Sequence, residues 1–92
     1  HAAQLLVYRA AWLKDNGKPN QYETSMAKLQ ASEAAVHAAN ECMKIFGSYG
    51  YSTEYPAERL YRDAKSLQVV EGTSNVQKLI IAGIASGHVA NR

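Results

Sequence analysis

The sequence lacks most of the features that identify common functional classes. Cys42 is its only cysteine, which excludes an internal disulfide. No apolar run approaches the roughly 18 residues of a membrane span. The ten basic residues are scattered, whereas a nucleic-acid or polybasic membrane surface needs them clustered. Metal-ligand spacings of His or Cys, Gly-Lys phosphate loops and Gly-x-Ser-x-Gly elbows are also missing. We therefore expect no metal site, no nucleic-acid partner and no membrane-spanning segment.

The start of the chain is apolar and helical in pattern. With 92 residues, the chain is one domain at most, or a piece of one. Between His1 and Leu13 only His1, Gln4 and Arg9 are strongly polar, and no capping residue precedes them. Water could reach such a helix along a narrow stripe only. We therefore expect the chain to be a fragment of something larger.

Hydrophobic periodicity predicts helices and no strands. The expected helices run from His1 to about Asn16-Gly17, from about Glu23 to Phe46, from Pro56 onward, and from Thr73 or Ser74 onward. The segment 66–72 fits either an extended stretch or an irregular helix. The predicted fold class is all-α, an antiparallel helical bundle.

The predicted core lies along the second helix. Leu29, Val36 and Met43 recur at seven-residue spacing on one face. Cys42 fits the same face as a small apolar residue. Trp12 and the tyrosines are expected in the core and at interfaces, since no basic groove accompanies them.

Two details concern the last helix. Ser74 with Gln77 has the spacing of a capping box, and Thr73 is an equally good cap. Gly83 and Gly87 lower the helix propensity, so they predict a close contact between helices.

Residues 69–77 (VVEGTSNVQ) place one carboxylate, Glu71, behind two valines and just before a predicted helix start. A carboxylate in apolar surroundings is poorly solvated when charged, which suits a general base. An acidic residue near a helix N-terminus also has a structural explanation, because the helix dipole favours it. The local sequence alone favours the structural explanation.

Residues 47–63 (GSYGYSTEYPAERLYRD) change that judgement. At this distance from Glu71, they resemble the C-terminal signature of the acyl-CoA dehydrogenase family. The matching positions are Gly47, Ser48, Gly50, Tyr51, Glu54, Arg59 and Asp63. The resemblance covers essentially all of the chain and implies that residues 1–92 are part of the C-terminal four-helix domain. The family's N-terminal helical domain and middle β-domain would then be absent.

The resemblance implies FAD-dependent oxidation of an acyl-CoA thioester to the 2-enoyl-CoA. Glu71 would be the base that removes the α-proton, while the β-hydrogen leaves as hydride to the flavin. The backbone N–H of Glu71 would bind the thioester carbonyl. Val70 and Gly72 would border the thioester.

The resemblance also implies a cofactor site and partners. Thr73 and Asn75 match positions that contact FAD. The loop from Gly47 through Ser48 to Gly50 would reach the FAD of a neighbouring subunit, in a homotetramer or dimer of dimers. Lys44, close to this loop, stands where the family usually has Gln or an acidic residue, and Asn75 where it often has Gln. An electron-transfer flavoprotein would accept the electrons, in a bacterial cytoplasm or a mitochondrial matrix.

Two other functions stay open at this point. The chain could be a helical assembly module without activity of its own. It could also belong to a related acyl-CoA oxidase or enoyl-CoA reductase.

Overall fold

A computed structural model describes residues 1–92 and confirms the all-α prediction. The four α-helices are α1 (Ala2–Asp15), α2 (Gln21–Phe46), α3 (Ala57–Ser66) and α4 (Ser74–Ala85). A 3-10 helix, Gly47–Tyr51, directly follows α2. The chain has no strands, and none of its helices combines the length and the apolar character needed to cross a membrane.

The end of α1 is the one that the sequence predicts. Gly17 has a φ of +66°, in the left-handed region that glycine favours. Its N–H donates to Lys14 O at 3.1 Å, and Lys18 N–H donates to Leu13 O at 2.9 Å. These are the two bonds of a Schellman motif. The chain reverses there, so that α1 and α2 form an antiparallel hairpin.

Helix α2 is the central helix of the bundle. Each of α1, α3 and α4 packs against α2, and no two of these three pack against each other. At the C-terminal part of α2, Gly50 lies against Met43. Farther along the chain, Leu67 is bonded to Lys28, and residues 91–92 reach the start of α2. Thus α3 and α4 follow one another along α2 and run antiparallel to it.

The buried core is small, and most of its residues are alanine, serine or glycine. Only nine of the 92 residues are buried, and no large side chain is fully enclosed. Along α2, Ser25, Ser32 and Ala39 are buried at seven-residue spacing. The predicted stripe of larger residues beside them is half-buried. Small side chains fill this line because neighbouring helices approach α2 closely.

Several large apolar side chains lie at the surface. Trp12 is 53% exposed, and Leu5 and Tyr8 on the same helix are also exposed. The ammonium of Lys18 lies 4.9 Å from the centre of the Trp12 ring. The prediction that Trp12 belongs to a core is therefore wrong for this chain, because no helix covers that face of α1. Its place at an interface stays a prediction.

The C-terminal tail explains why α2 begins earlier than predicted. The N–H groups of Asn20 and Gln21 donate to Arg92 O at 2.7 and 2.9 Å. Tyr22 N–H donates to the Asn91 side-chain oxygen at 2.9 Å. The first amides of a helix lack partners within it, and here the tail supplies them.

The glycines near the end of α4 have a different role from the predicted helix contact. Gly87 lies beyond α4, with a φ of +81°. Its N–H donates to Ile84 O at 3.1 Å, and His88 N–H donates to Gly83 O at 3.0 Å. A Cβ on Gly83 would lie 3.2 Å from Val89 Cγ2. Both glycines therefore allow the tail to fold back on α4.

Candidate active site

The turn between α3 and α4, residues 67–73, carries Glu71. Glu71 has a φ of +58° and is the only non-glycine residue with a positive φ. Gly72 follows with a φ of +103°. The left-handed conformation costs a residue with a side chain about 1–2 kcal/mol. Contacts elsewhere must therefore hold Glu71 in this conformation.

Backbone hydrogen bonds close the turn on itself. The N–H groups of Val69 and Val70 both donate to Ser66 O at 3.0 Å. Ser74 N–H donates back to Gln68 O, also at 3.0 Å. The segment that the sequence left ambiguous is thus a series of tight turns that continues from the end of α3.

Two side chains outside the turn hold its backbone. The ammonium of Lys28 donates to Leu67 O at 2.8 Å and to Gly72 O at 2.9 Å. Gln77, only 7% exposed, approaches Gly72 O with its side-chain nitrogen at 3.5 Å. Helices α2 and α4 therefore both contribute to the position of Glu71.

Sequence reasoning missed Lys28 as a site residue. A signal was present, since Lys28 lies one helical turn from both Ser25 and Ser32. A cation on a buried line of small residues needs acceptors nearby. The prediction followed the larger apolar residues of α2 instead, so this line was not recognised.

The Glu71 carboxylate is exposed in this chain. Val69 and Val70 are 60% and 49% exposed, so they do not provide the apolar surroundings expected from the sequence. The chain's two ion pairs join other residues. The N–H groups of Glu71 and Gly72 donate no hydrogen bond within the chain. Glu71 thus presents a free carboxylate and a free backbone donor on one constrained turn.

Thr73 is the N-cap of α4, so the Thr73 alternative is confirmed and the Ser74–Gln77 capping box is wrong. Thr73 Oγ1 accepts a hydrogen bond from Val76 N–H at 3.2 Å. Ser74 is the first helical residue, and its buried hydroxyl has no partner. The Gln77 side chain instead approaches the carbonyl of Gly72, in the turn before α4. Asn75 lies exposed in the first turn of α4, which contains no acidic residue.

Thr73 and Asn75 line one surface hollow. Lys65 and Lys78 line it as well, and Glu33 is its one acidic residue. A helix N-terminus with an amide side chain and two ammonium groups suits phosphate or another anionic group. The donors present therefore fit part of a dinucleotide cofactor.

Both glycines of the segment Gly47–Gly50, the glycine loop, are explained by the structure. Gly47 ends α2 with a φ of +62°, and its N–H donates to Lys44 O. A Cβ on buried Gly50 would lie 2.8 Å from Met43 O, so the loop can pack against α2 only without a side chain there. Ser48 is exposed.

Lys44 is held by a neighbour on the same helix. Its ammonium lies 2.9 Å from a carboxylate oxygen of Glu41. The hydrogen bond from Lys44 and, next, its positive charge lower the pKa of Glu41 below its usual value. Lys44 and Gly47 line a second hollow together with Tyr51 and Tyr61.

The predicted site residues therefore form two separate groups. Glu71, Val70, Gly72, Thr73 and Asn75 lie on the α3–α4 turn and the start of α4, while Lys44, Gly47 and Ser48 lie at the end of α2. An open hollow of about 660 Å³ lies between them. Its apolar lining comes from Met43, Tyr51, Tyr61, Val69 and Val70.

The chain is an all-α helical domain with a constrained turn between α3 and α4. Comparison with known proteins identifies the family. The family model described as "Acyl-CoA dehydrogenase, C-terminal domain" matches residues 1–85. The chain belongs to the acyl-CoA dehydrogenase family, as the sequence resemblance predicted, and members of this family are in general flavoproteins.

Individual relatives agree with this assignment. The mitochondrial short-chain specific acyl-CoA dehydrogenase of Rattus norvegicus is 55% identical over 82 residues, which are 89% of this chain and 20% of the relative. The chain thus spans about a fifth of that enzyme's length. The curated relatives include mitochondrial and bacterial enzymes.

Solved structures share the fold. A glutaryl-coenzyme A dehydrogenase in complex with glutaryl-CoA is 50% identical, with a TM-score of 0.92 over 99% of this chain and 24% of that one. A chain in a structure described as the electron transferring flavoprotein of Acidaminococcus fermentans is 44% identical. Its TM-score is 0.88, over 91% of this chain and 22% of that one. The roles predicted for individual site residues stay predictions.

Proposed function

We infer that this chain is part of the C-terminal helical domain of a longer FAD-dependent acyl-CoA dehydrogenase, with Glu71 as the base. The family's N-terminal helical domain and middle β-domain would complete the enzyme. The observation that carries the proposal is the turn itself. It holds a free carboxylate and a free N–H on Glu71, in a backbone conformation that contacts from two helices maintain.

Both free groups of Glu71 have a use in α,β-dehydrogenation. A hydrogen on the carbon next to a thioester is a weak acid, so the carbonyl must be polarised while the proton leaves. The Glu71 N–H would donate to that carbonyl. The carboxylate would take the α-proton as the C–H bond breaks, and the β-hydrogen would leave with its electron pair as hydride.

The neighbours of Glu71 suit a thioester at this place. Gly72 has no side chain to block a close approach to the backbone. Val70 offers an exposed apolar surface beside it. Once an acyl chain and the rest of the enzyme cover the valines, water would be excluded from the Glu71 carboxylate, which strengthens it as a base.

The N-terminus of α4 would hold part of the FAD. The free donors there are the side-chain amide and the backbone N–H of Asn75, since the N–H groups of Ser74 and Val76 are already bonded to Gln68 O and Thr73 Oγ1. The bound flavin would supply the hydride acceptor. The separation of Lys44, Gly47 and Ser48 from this group supports their predicted contact with the FAD of a neighbouring subunit. A homotetramer or dimer of dimers would follow from that contact.

The electron acceptor would be an electron-transfer flavoprotein. Membership of the family supports this partner, and relatives from mitochondria and bacteria support a mitochondrial matrix or bacterial cytoplasmic location. Rapid reaction of the reduced flavin with oxygen would instead identify an acyl-CoA oxidase. A preference for the reverse direction would identify an enoyl-CoA reductase.

Replacement of Glu71→Gln in the flavin-loaded enzyme tests the proposal. Flavin reduction by an acyl-CoA should slow by about 10²–10⁴-fold, the usual contribution of a general base, while the flavin stays bound. Asp15→Asn removes an exposed carboxylate at the end of α1 and is the control, which should leave the rate unchanged. Retained flavin reduction in Glu71→Gln would refute the assignment of the base. An intact protein of 10.1 kDa that never binds flavin would identify a helical module instead.

A further inference from the structure

Lys28 is the one side chain of α2 that bonds the turn around Glu71. Its ammonium contacts the carbonyls of Leu67 and Gly72, which lie on either side of Glu71 in the chain. Leu67 directly follows α3, where the negative end of the helix dipole favours a cation. A single cation thus ties both ends of the turn to the N-terminal third of α2.

No other group duplicates this link. Gln77 reaches only one of the two carbonyls, and its distance of 3.5 Å is at the limit of a hydrogen bond. The remaining bonds join residues of the turn to their own neighbours. Without Lys28, the turn would have no hydrogen bond to α2.

Lys28 holds the backbone of the turn and leaves the carboxylate free. Lys28, Val70 and Glu71 line the same small hollow, yet Lys28 and Glu71 form no ion pair. An ammonium has three donors and no acceptor, and two of these donors are used on the carbonyls. The Glu71 carboxylate therefore stays available to accept a proton.

We propose that Lys28 is a positioning residue, which fixes the Glu71 turn for proton abstraction without itself touching the reacting atoms. This inference rests on the proposed function. It accounts for the left-handed conformation of Glu71, which needs outside contacts to persist. A misplacement of about 1 Å at a reacting group can cost about 100-fold in rate, so loss of the link should be visible in catalysis.

The test compares Lys28→Met with wild type in the flavin-loaded enzyme that contains this chain. Amide hydrogen exchange should become faster in peptides covering residues 67–75 and stay unchanged in α1. The kcat should fall about 10- to 100-fold while KM changes little, because positioning acts on the chemical step. With an α-deuterated acyl-CoA, the isotope effect on kcat should rise as proton abstraction becomes slower.

Three further variants complete the design. Lys14→Met removes an exposed lysine of α1 and should change neither exchange nor kcat. Lys28→Arg keeps a charged donor and should restore part of both. If Lys28→Met does not fold, Lys28→Gln, which is also neutral, takes its place and should show the faster exchange and lower kcat that are expected for Lys28→Met.

The outcomes separate this inference from the proposed function. An inert Glu71→Gln enzyme together with a normal kcat in Lys28→Met would overturn the positioning role and leave the function intact. Faster exchange in Lys28→Met with an unchanged kcat would overturn it as well. A fully active Glu71→Gln enzyme would overturn both.

Discussion

The side chain of Gln77 occupies the space that a side chain on Gly72 would need. A Cβ on Gly72 would lie 2.5 Å from the Gln77 side-chain nitrogen, and Gly72 also has a φ of +103°. Gly72→Ala should therefore lower the free energy of unfolding by about 1–2 kcal/mol of backbone strain and, in addition, by the cost of moving the end of the Gln77 side chain, which is only 7% exposed. Urea unfolding measures this change.

Gly87→Ala is the matched control for Gly72→Ala. Gly87 has a φ of +81°, but a Cβ there would meet nothing within 4 Å. The free energy of unfolding of Gly87→Ala should therefore fall only by the backbone strain, about 1–2 kcal/mol. Equal losses in the two variants would mean that Gln77 moves aside freely and contributes no steric constraint on the turn.

Thr73 and Ser74 should respond in opposite ways to alanine. Thr73→Ala removes the cap of α4 and should destabilise the protein by about 1 kcal/mol. Ser74→Ala removes a buried hydroxyl without a partner, so it should be neutral or slightly stabilising. Thermal unfolding of both variants distinguishes them. A loss in Ser74→Ala as large as in Thr73→Ala would restore the capping-box interpretation.

Asn91 should contribute to stability although it lies in the tail. Its side-chain oxygen accepts from Tyr22 N–H at 2.9 Å, and its side-chain nitrogen donates to Glu23 at 3.2 Å. Asn91→Ala should cost about 1 kcal/mol, as loss of other helix N-terminal acceptors does. Glu23→Ala removes only the second bond and should cost less in the same urea titration. The reverse order would show that the tail is held through Glu23.

Lys44 should control the titration of Glu41. In wild type, the hydrogen bond and charge of Lys44 keep the pKa of Glu41 below its usual 4.5, so the pair stabilises the fold above that pH. This contribution is lost as the pH falls through the lowered pKa. Lys44→Gln should raise the pKa of Glu41 toward 4.5, which an NMR titration of its side-chain carboxyl measures. An unchanged pKa would mean that the pair does not form in solution.

Local signals in the sequence predicted the helices and several of their ends. Gly17 and Thr73 act as the sequence indicates, because a left-handed C-terminal glycine and an N-cap hydroxyl act within one helical turn. The contacts of Lys28 and Asn91 could not be predicted in this way. Their partners lie 44 and 69 residues away, and helical periodicity carries no information over such distances.

The candidate site was located from the sequence, but its conformation was not. The resemblance drew attention to Glu71, whereas nothing in its residue type indicates a left-handed backbone, which glutamate rarely adopts. Likewise, the pattern of Val69 and Val70 indicates an apolar surface without indicating what covers it. Those features depend on packing and on neighbours beyond the local sequence.

Because α1, α3 and α4 all pack on α2, insertions and deletions within α2 should change how the other helices are placed. Each residue in an α-helix turns the following part by about 100° and advances it by about 1.5 Å. The glycine loop contacts α2 at Met43, and the Glu71 turn contacts it at Lys28. One residue inserted between Lys28 and Met43 would thus rotate these two contact surfaces relative to each other by about 100°. Because α3 packs on neither α1 nor α4, no other α-helix would hold α3 in place after such a rotation. Insertions in the central part of α2 should therefore be tolerated far less than insertions between α1 and α2.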